Sequence, residues 1–514
     1  MKTISPLLLL CFAIVIMQGC STQKNEKSES QSSDNSKFEE NWESLATANV
    51  TPDWFLDAKF GIYAHWGPVS NAFVNMKEGQ HMAGWHGMRM YQKETSNYKH
   101  HVEQFGDPAE FGYKELIGKF SPTGFNAQEW ADLFAASGAK FAGPVAMHHD
   151  NFAMWDSKAT RWNSVNYGGI DVAAELKKTI EEKGMKFMGS FHHAFTWKYF
   201  APAHDYKTID PEDYDLYTEP HELESTTVSE RFLEEWWAKL KEFIDVYQPD
   251  LLWFDWWLEN LPEADRRKFL AYYYNKGKEW GKDVAVCFKE TTFPEKVAIR
   301  DYERGRPNQP KKQAWLTDTS PGAWFYRSNA RFVTPNELVD ILVDIVAKNG
   351  CMLLNVPPNP DGTIPTEMKD LLTEIGAWLK VNGEAIYGTR PWTVFGEGPT
   401  RIAAGGHKIE EKGKIEYTNT DIRFTKKTDT EFFVIVMDKP DEEIQIKTLC
   451  TLIGALNNPI KKVELVGSDE TIYWERNEKG LIIQAPENYP TDYSHCFKIT
   501  LENYKERDIG GEDG

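Results

Sequence analysis

A (β/α)8-type barrel followed by a C-terminal antiparallel β-sandwich is the fold class predicted for this chain of 514 residues. Three observations carry the expectation. Apolar, strand-like runs alternate with amphipathic segments of helical length through most of the chain, the pattern of parallel β/α units. After the sequence YGTRPW the pattern changes to short alternating runs between polar turns, the pattern of a small antiparallel domain. The chain is also too long for one ordinary domain.

The elements follow in order. Residues 1–20, MKTISPLLLLCFAIVIMQGC, place a lysine before an apolar run and end on Gly19-Cys20. This is the layout of a signal peptide, and its end resembles a bacterial lipobox with a cysteine ready for lipidation. The expectation is an exported protein, lipid-anchored on the periplasmic or cell-surface side of a bacterial membrane, with free secretion as the alternative. Residues 21–40 open on STQKNEKSESQSSDNSK, polar and without apolar periodicity, and read as a disordered tether.

Residues 41–390 read as the barrel. AKFGIYAHWG, KFAGPVAMHHD, MKFMGSFHHA, PDLLWFD and DVAVCFKE are the first five strands, with NAQEWADLFAASGA, GIDVAAELKKTIEEKG, SERFLEEWWAKLKEFIDVYQ and EADRRKFLAYYYNKGKEW as helices between them. ELVDILVDIVAKNG then leads into CMLLNVPP, read as the seventh strand, and TEMKDLLTEIGAWLKVNG closes the series. Residues 391–505, with runs such as EFFVIVMD, KKVELVG and GLIIQA, read as the sandwich.

Composition narrows the partners. A formal net charge of −20 excludes nucleic acid as the main ligand, because phosphates attract basic surfaces, and leaves the lipid anchor as the expected membrane link. The 19 tryptophans supply flat apolar faces that suit the C–H side of a sugar as well as a protein core. Past the leader, Cys287, Cys351, Cys450 and Cys496 show no CxxC spacing, so no structural zinc is expected. A Cys450–Cys496 bridge and two buried thiols both remain open.

Barrel enzymes place their chemistry at the C-terminal strand ends. Here the first strand ends in His65 and Trp66, the second in His148, His149 and Asp150, the third in His192 and His193, and the fourth in Asp255. In PDLLWFDWWLE an apolar strand runs into Asp255 among Trp253, Phe254, Trp256 and Trp257. A carboxylate there needs a partner or a task. Neighbouring strand residues face opposite sides, so His148 and His149 cannot share an ion without a bulge, and no HExxH spacing is present; neither a metal nor a cofactor is expected. No GxSxG elbow marks a serine hydrolase. Two carboxyl groups, aromatic platforms and neutral donors are what glycoside hydrolysis requires.

The segments WFLDAKFGIYAHWGPVS, HHDNFAMWDSKATRWNSV, PDLLWFD, WLTDTS, NGCMLLNVPPNPDGTIP and WLKVNGEAIYGTRPW resemble, in order, the signature blocks of glycoside hydrolase family 29, the α-L-fucosidases, over approximately residues 45–395. The resemblance implies a retaining exo-enzyme that releases terminal α-L-fucosyl residues from a fucosylated oligosaccharide or glycoconjugate. It implies Asp255 as nucleophile and His65, His148, His149, His192 and Trp253 as sugar contacts, with Trp66 and Trp315 completing the substrate-binding set. For the acid/base, the stretch AIRDYERGRPNQPKKQAWLTDTS contains an ERG similar to that of bacterial relatives, which implies Glu303, with Asp301 and Glu290 in reserve. Arg304 or Arg306 folded over Glu303 would lower its pKa.

Three departures bear on specificity. GMRMYQKE puts Arg89 where many members carry a glutamate, HHDGF has become HHDNF through Asn151, and NIGP has become NVPP. Alternatives are therefore an α-L-galactosidase or related 6-deoxysugar glycosidase, or an inactive sugar-binding relative. Arg89 with Lys93 either meets an anionic neighbour of the sugar or forms an ordinary solvated loop.

Overall fold

The computed structural model describes residues 37–74, 83–206, 209–400, 415–440 and 442–502. The leader, Cys20 and the tether as far as residue 36 lie outside the described residues. The chain docks before residue 41, where the tether was expected to end. Phe38 donates its N–H to Asn275 Oδ1 at 2.8 Å, accepts from Asn275 Nδ2 at 2.9 Å, and sets its ring edge-on to Tyr274.

Eight parallel strands form the barrel: β1 Phe60–Ala64, β2 Phe141–Met147, β3 Lys186–Phe191, β4 Leu251–Phe254, β5 Ala285–Phe288, β6 Ile299–Arg300, β7 Trp315–Thr319 and β8 Gly350–Val356. They pair in the order β6-β5-β4-β3-β2-β1-β8-β7. The ring closes between β6 and β7 through one parallel bridge, Asp301 opposite Leu316. Two backbone bonds extend that seam, Tyr302 N–H to the Leu316 carbonyl at 2.9 Å and Arg304 N–H to the Asp318 carbonyl at 2.8 Å. NVPP therefore ends the eighth strand, with Asn355 and Val356 its last residues, and does not follow the seventh. The uncounted strand is β6, whose two residues are too few to show any periodicity.

Strands β1, β2, β4, β5, β7 and β8 are buried at every position, because side chains of one parity fill the barrel and those of the other meet the helices. Tyr63, Met188, Trp253, Leu316 and Leu353 belong to the inner core. Outside run the helices Ala127–Ala136, Val172–Glu182, Glu230–Tyr247, Glu263–Trp280, Pro335–Ala347 and Thr366–Asn382. Asn126, Asp171, Ser229 and Thr334 start four of these by accepting a backbone N–H of the first turn, which satisfies a donor the helix itself leaves free.

The C-terminal strands are β9 Arg390–Glu397, β10 Ile422–Lys426, β11 Glu431–Val436, β12 Glu443–Ile446, β13 Ile460–Leu465, β14 Trp474–Asn477, β15 Gly480–Gln484 and β16 His495–Leu501. They make one antiparallel sheet in the order β13-β16-β11-β10-β9 and another in the order β12-β15-β14. Along β11, Phe432, Val434 and Val436 join the sandwich core, whereas Phe433 and Ile435 join the core around the barrel helices. The larger sheet is thus covered on both faces. Cys287, Cys351, Cys450 and Cys496 are all buried free thiols, so Cys450 and Cys496 do not pair.

One charged cluster joins this sheet to the barrel. Asp344, on the helix Pro335–Ala347, accepts from Arg423 of β10 at 2.6 Å, from Lys348 at 2.8 Å and from Arg306 at 3.1 Å. All four are buried.

Candidate active site

The C-terminal strand ends open into a cavity of about 480 Å³. His65, His148, His149, His192 and Asp255 line one side, and Lys289, Glu303, Arg304, Asp318 and Arg327 the other, with Trp85, Trp256 and Trp324 as aromatic walls.

Each imidazole is fixed from behind. His65 follows β1 and gives both its N–H and Nδ1 to Asn355 Oδ1, at 3.1 and 2.8 Å. Asn355 donates its own amide to Ser320 Oγ and to the Trp324 carbonyl, so its oxygen must face His65. Nδ1 of His65 is therefore the protonated nitrogen. His149 turns Nδ1 to the His192 carbonyl at 2.8 Å and Nε2 to Asp255 Oδ2 at 3.3 Å. His192 places Nδ1 3.1 Å from Asp255 Oδ2 and Nε2 2.9 Å from Ser190 Oγ. Burial holds His65 and His148 well below the usual histidine range and His192 at about 4, so these rings are neutral hydrogen-bonding groups near pH 7.

His148 and His149 both line the cavity, contrary to simple alternation along a strand. The register of β2 against β3 shifts between Val145 and Met147, and the chain then turns through Asn151 in a left-handed conformation, φ 61°. Asn151 fills that position by bonding outward. Its Nδ2 donates to the carbonyls of Asp215 at 2.9 Å and Leu216 at 3.2 Å, and its Oδ1 accepts from the buried Lys239 at 3.0 Å. Two overlapping trios, His65–His148–His192 and His149–His192–Asp255, bring possible metal-ligand atoms within 4.8 Å of one another. His192 belongs to both and already has a partner at each nitrogen.

Asp255 follows β4, its backbone N–H bonded to the Phe191 carbonyl. Burial opposes its charge, but Lys289 first, then His192 and the two imidazole hydrogen bonds, hold its carboxyl well below the usual range. Lys289, at the end of β5, sets Nζ 2.9 Å from Asp255 Oδ1, 3.0 Å from Glu303 Oε2 and 3.3 Å from Asp318 Oδ2. Those Asp255 and Glu303 oxygens therefore lie no more than 5.9 Å apart, the sum of their distances to Nζ.

Of the reserve carboxyls, Glu290 lines the cavity, whereas Asp301 lies under it, accepting from Trp253 Nε1 at 3.1 Å and from the Asp318 N–H at 2.9 Å. Burial and the neighbouring Asp318 raise Asp301 well above the usual carboxylate range. The cation on Glu303 is Lys289. Arg304 instead stacks on Trp324 and donates to the Gly322 carbonyl, and Arg306 is committed to Asp344.

Three expected sugar contacts lie elsewhere. Trp66 packs among Phe120, Phe125 and Trp130 and donates Nε1 to the Pro360 carbonyl. Trp315 starts β7, at the opposite end of that strand from the cavity, and donates to the Lys348 carbonyl. Trp253 points inward one barrel layer below Asp255, fully buried beneath His192 and Lys289. His193 faces Trp236 and Asp150 faces Tyr113, both away from the cavity. Lys289, Asp318, Trp85 and Trp324 were not anticipated. Arg89 lies near the Trp85 ring, 5.9 Å from its centroid.

Comparisons with known proteins point to a single family. A family model described as Alpha-L-fucosidase matches residues 25–384, and one described as Alpha-L-fucosidase C-terminal domain matches residues 415–500. An alpha-L-fucosidase of Dictyostelium discoideum is 28% identical over 89% of this chain and 94% of its own length. The plasma alpha-L-fucosidase of Homo sapiens is 31% identical over 69% of this chain and 73% of its own. The crystal structure of Thermotoga maritima alpha-fucosidase in complex with fucose superposes with a TM-score of 0.70 at 28% identity, covering 90% of this chain and all of that one.

Proposed function

The chain belongs to the alpha-L-fucosidase family, and on that premise we propose that it is a retaining exo-glycosidase that removes terminal α-L-fucosyl residues from glycans, with Asp255 as nucleophile and Glu303 as acid/base. The observation that carries the assignment is the pair of carboxyl oxygens within 5.9 Å of each other across Lys289. That upper bound on one pair of oxygens admits the carboxyl separation of about 5–5.5 Å that retaining enzymes use.

In the first step an Asp255 oxygen bonds to the anomeric carbon as the bond to the leaving oxygen breaks, and Glu303 gives that oxygen its proton. In the second, Glu303 takes a proton from water, the water oxygen bonds to the anomeric carbon, and the ester to Asp255 opens. The neutral imidazoles of His65 and His148 then serve the sugar hydroxyls while His192, bonded to Ser190 and Asp255, positions the nucleophile, and Trp85, Trp256 and Trp324 meet the apolar face of the sugar.

The test is Asp255→Gly on 4-nitrophenyl α-L-fucoside. Turnover should vanish with the fold intact, and azide should restore it as a glycosyl azide of inverted configuration. Near wild-type activity in that variant would refute the assignment. Parallel aryl glycosides of L-galactose and other 6-deoxysugars read the sugar preference.

The leader ending at Cys20 supports a second part of the proposal, an exported, lipid-anchored enzyme. Cys20→Ala should then release the protein from membranes or leave it unprocessed, and an unmodified mature enzyme wholly in the soluble fraction would reject the anchor.

A further inference from the structure

We propose that Lys289 is a third catalytic residue, the fixed counter-ion beside which negative charge passes from Asp255 to Glu303 as the fucosyl ester forms, and back as the ester opens. The inference rests on the retaining reading above.

A lysine with 6% exposure needs compensating charge, and Asp255 and Asp318, both buried, would supply it. Neutralising that ammonium does not require Glu303, whose side chain is 43% exposed and open to water. Yet Glu303 Oε2 reaches the same ammonium at 3.0 Å, the counterpart of Asp255 Oδ1 at 2.9 Å. The ammonium itself has little freedom. Asp318 Oδ2, which also accepts from Tyr63 Oη at 2.9 Å, holds it from one side, and the Trp253 ring lies 4.8 Å beneath it.

The charge balance of the first step gives this arrangement its use. Before it, Asp255 is a carboxylate and Glu303 a carboxylic acid. Afterwards the anomeric carbon is bonded to Asp255, the leaving group carries the Glu303 proton, and Glu303 is the carboxylate. One negative charge has moved between two oxygens that lie within 3.0 Å of the same Nζ, so its attraction to the ammonium is kept throughout and the site need not reorganise. Hydrolysis reverses the transfer.

The groups facing Lys289 are Asp255 after β4, Asp318 of β7, and Asp301 and Glu303 after β6, with His65 and His192 also within its field. Burial works against its charge, but these carboxyls together hold the ammonium well above the usual lysine value, so it stays charged across the working pH range.

The experiment compares Lys289→Met and Lys289→Arg with wild type in pH profiles of kcat/KM on 4-nitrophenyl α-L-fucoside, with circular dichroism as the folding control. Lys289→Met should lose about 10²–10³-fold in kcat/KM and move the acid limb up by about one pH unit or more, because the ionised Asp255 has lost its main support. Lys289→Arg should keep the limb within about half a unit and recover most of the rate. An acid limb that stays in place in Lys289→Met overturns the proposal, since a merely structural lysine lowers the rate without moving the limb. If Lys289→Met does not fold, Lys289→Arg decides alone, and a displaced limb there is equally fatal. A wild-type enzyme inactive on every aryl glycoside would instead refute the proposed function.

Discussion

Asn151→Gly isolates one device under the active-site turn. Glycine keeps the backbone at φ 61° without strain, so only the side chain and its three hydrogen bonds are lost. The two to the Asp215 and Leu216 carbonyls are neutral and worth about 1 kcal/mol each; the one from Lys239 is charge-assisted and worth about 1.5–3 kcal/mol. The expected loss is thus about 3–5 kcal/mol near pH 7, or roughly 3–5 °C in Tm for a chain of this size. The charged share depends on pH. Burial lowers Lys239 from 10.5 to about 8, so the cost of burying its ammonium is fully present below pH 8 and is relieved as pH rises toward 10.5. Removing the Asn151 acceptor deepens that cost only while the ammonium exists. Thermal melts of wild type and variant between pH 7 and about 9.5 should therefore show the deficit shrinking to about 2 °C. A deficit constant across that range would refute the role of Lys239 and leave only the two carbonyl contacts. Because the same turn carries His148 and His149, kcat/KM should fall at pH 7 as well.

Asp344→Asn would leave Arg306, Arg423 and Lys348 buried without their anion and should cost about 3–5 kcal/mol. Burial opposes the Asp344 charge, but these three cations hold the carboxyl well below its ordinary value, so its contribution is full above the unfolded carboxylate pKa and is lost as pH falls. The difference in Tm from wild type should accordingly narrow below about pH 4. Asn355→Ala should free the His65 ring and lower kcat/KM about tenfold, and because its four hydrogen bonds are lost it should also lower Tm by about 3–5 °C; an unchanged kcat/KM beside that loss would show that Asn355 serves the core alone.

Strand-end reasoning locates the imidazole and Asp255 side of the pocket, because a histidine or aspartate that ends a buried parallel strand is too costly to keep there unless it is paired or faces the pocket. His65, His148, His149, His192 and Asp255 converge as that argument requires. The same argument applied to DVAVCFKE would have found Lys289, which ends β5 just as Asp255 ends β4. Tryptophans resisted it. An indole suits a sugar platform and a core equally, and neither spacing nor hydropathy says that Trp253 points one layer too deep or that Trp66 faces Phe125. Trp85 ends the three-residue 3-10 turn Ala83–Trp85 and Trp324 lies in a loop, neither with a periodic signal. The doubly apolar run EFFVIV, by contrast, did contain the information that its sheet is covered on both sides, since a sheet with one solvated face would alternate.

The seam that closes the barrel separates the two carboxyls proposed for catalysis by the density of backbone pairing beneath them. Asp255 follows β4, a strand paired along its length with β3 and β5, whereas Glu303 follows the two-residue β6, held to β7 by one bridge and two backbone bonds. Local opening is least costly where backbone pairing is sparse. The proposed nucleophile is thus seated on a densely paired arc of the ring and the proposed proton donor beside its sparsely paired seam. A bulky leaving group would then be accommodated at the seam, with Lys289 keeping Glu303 in reach of Asp255 and β4 left undisturbed.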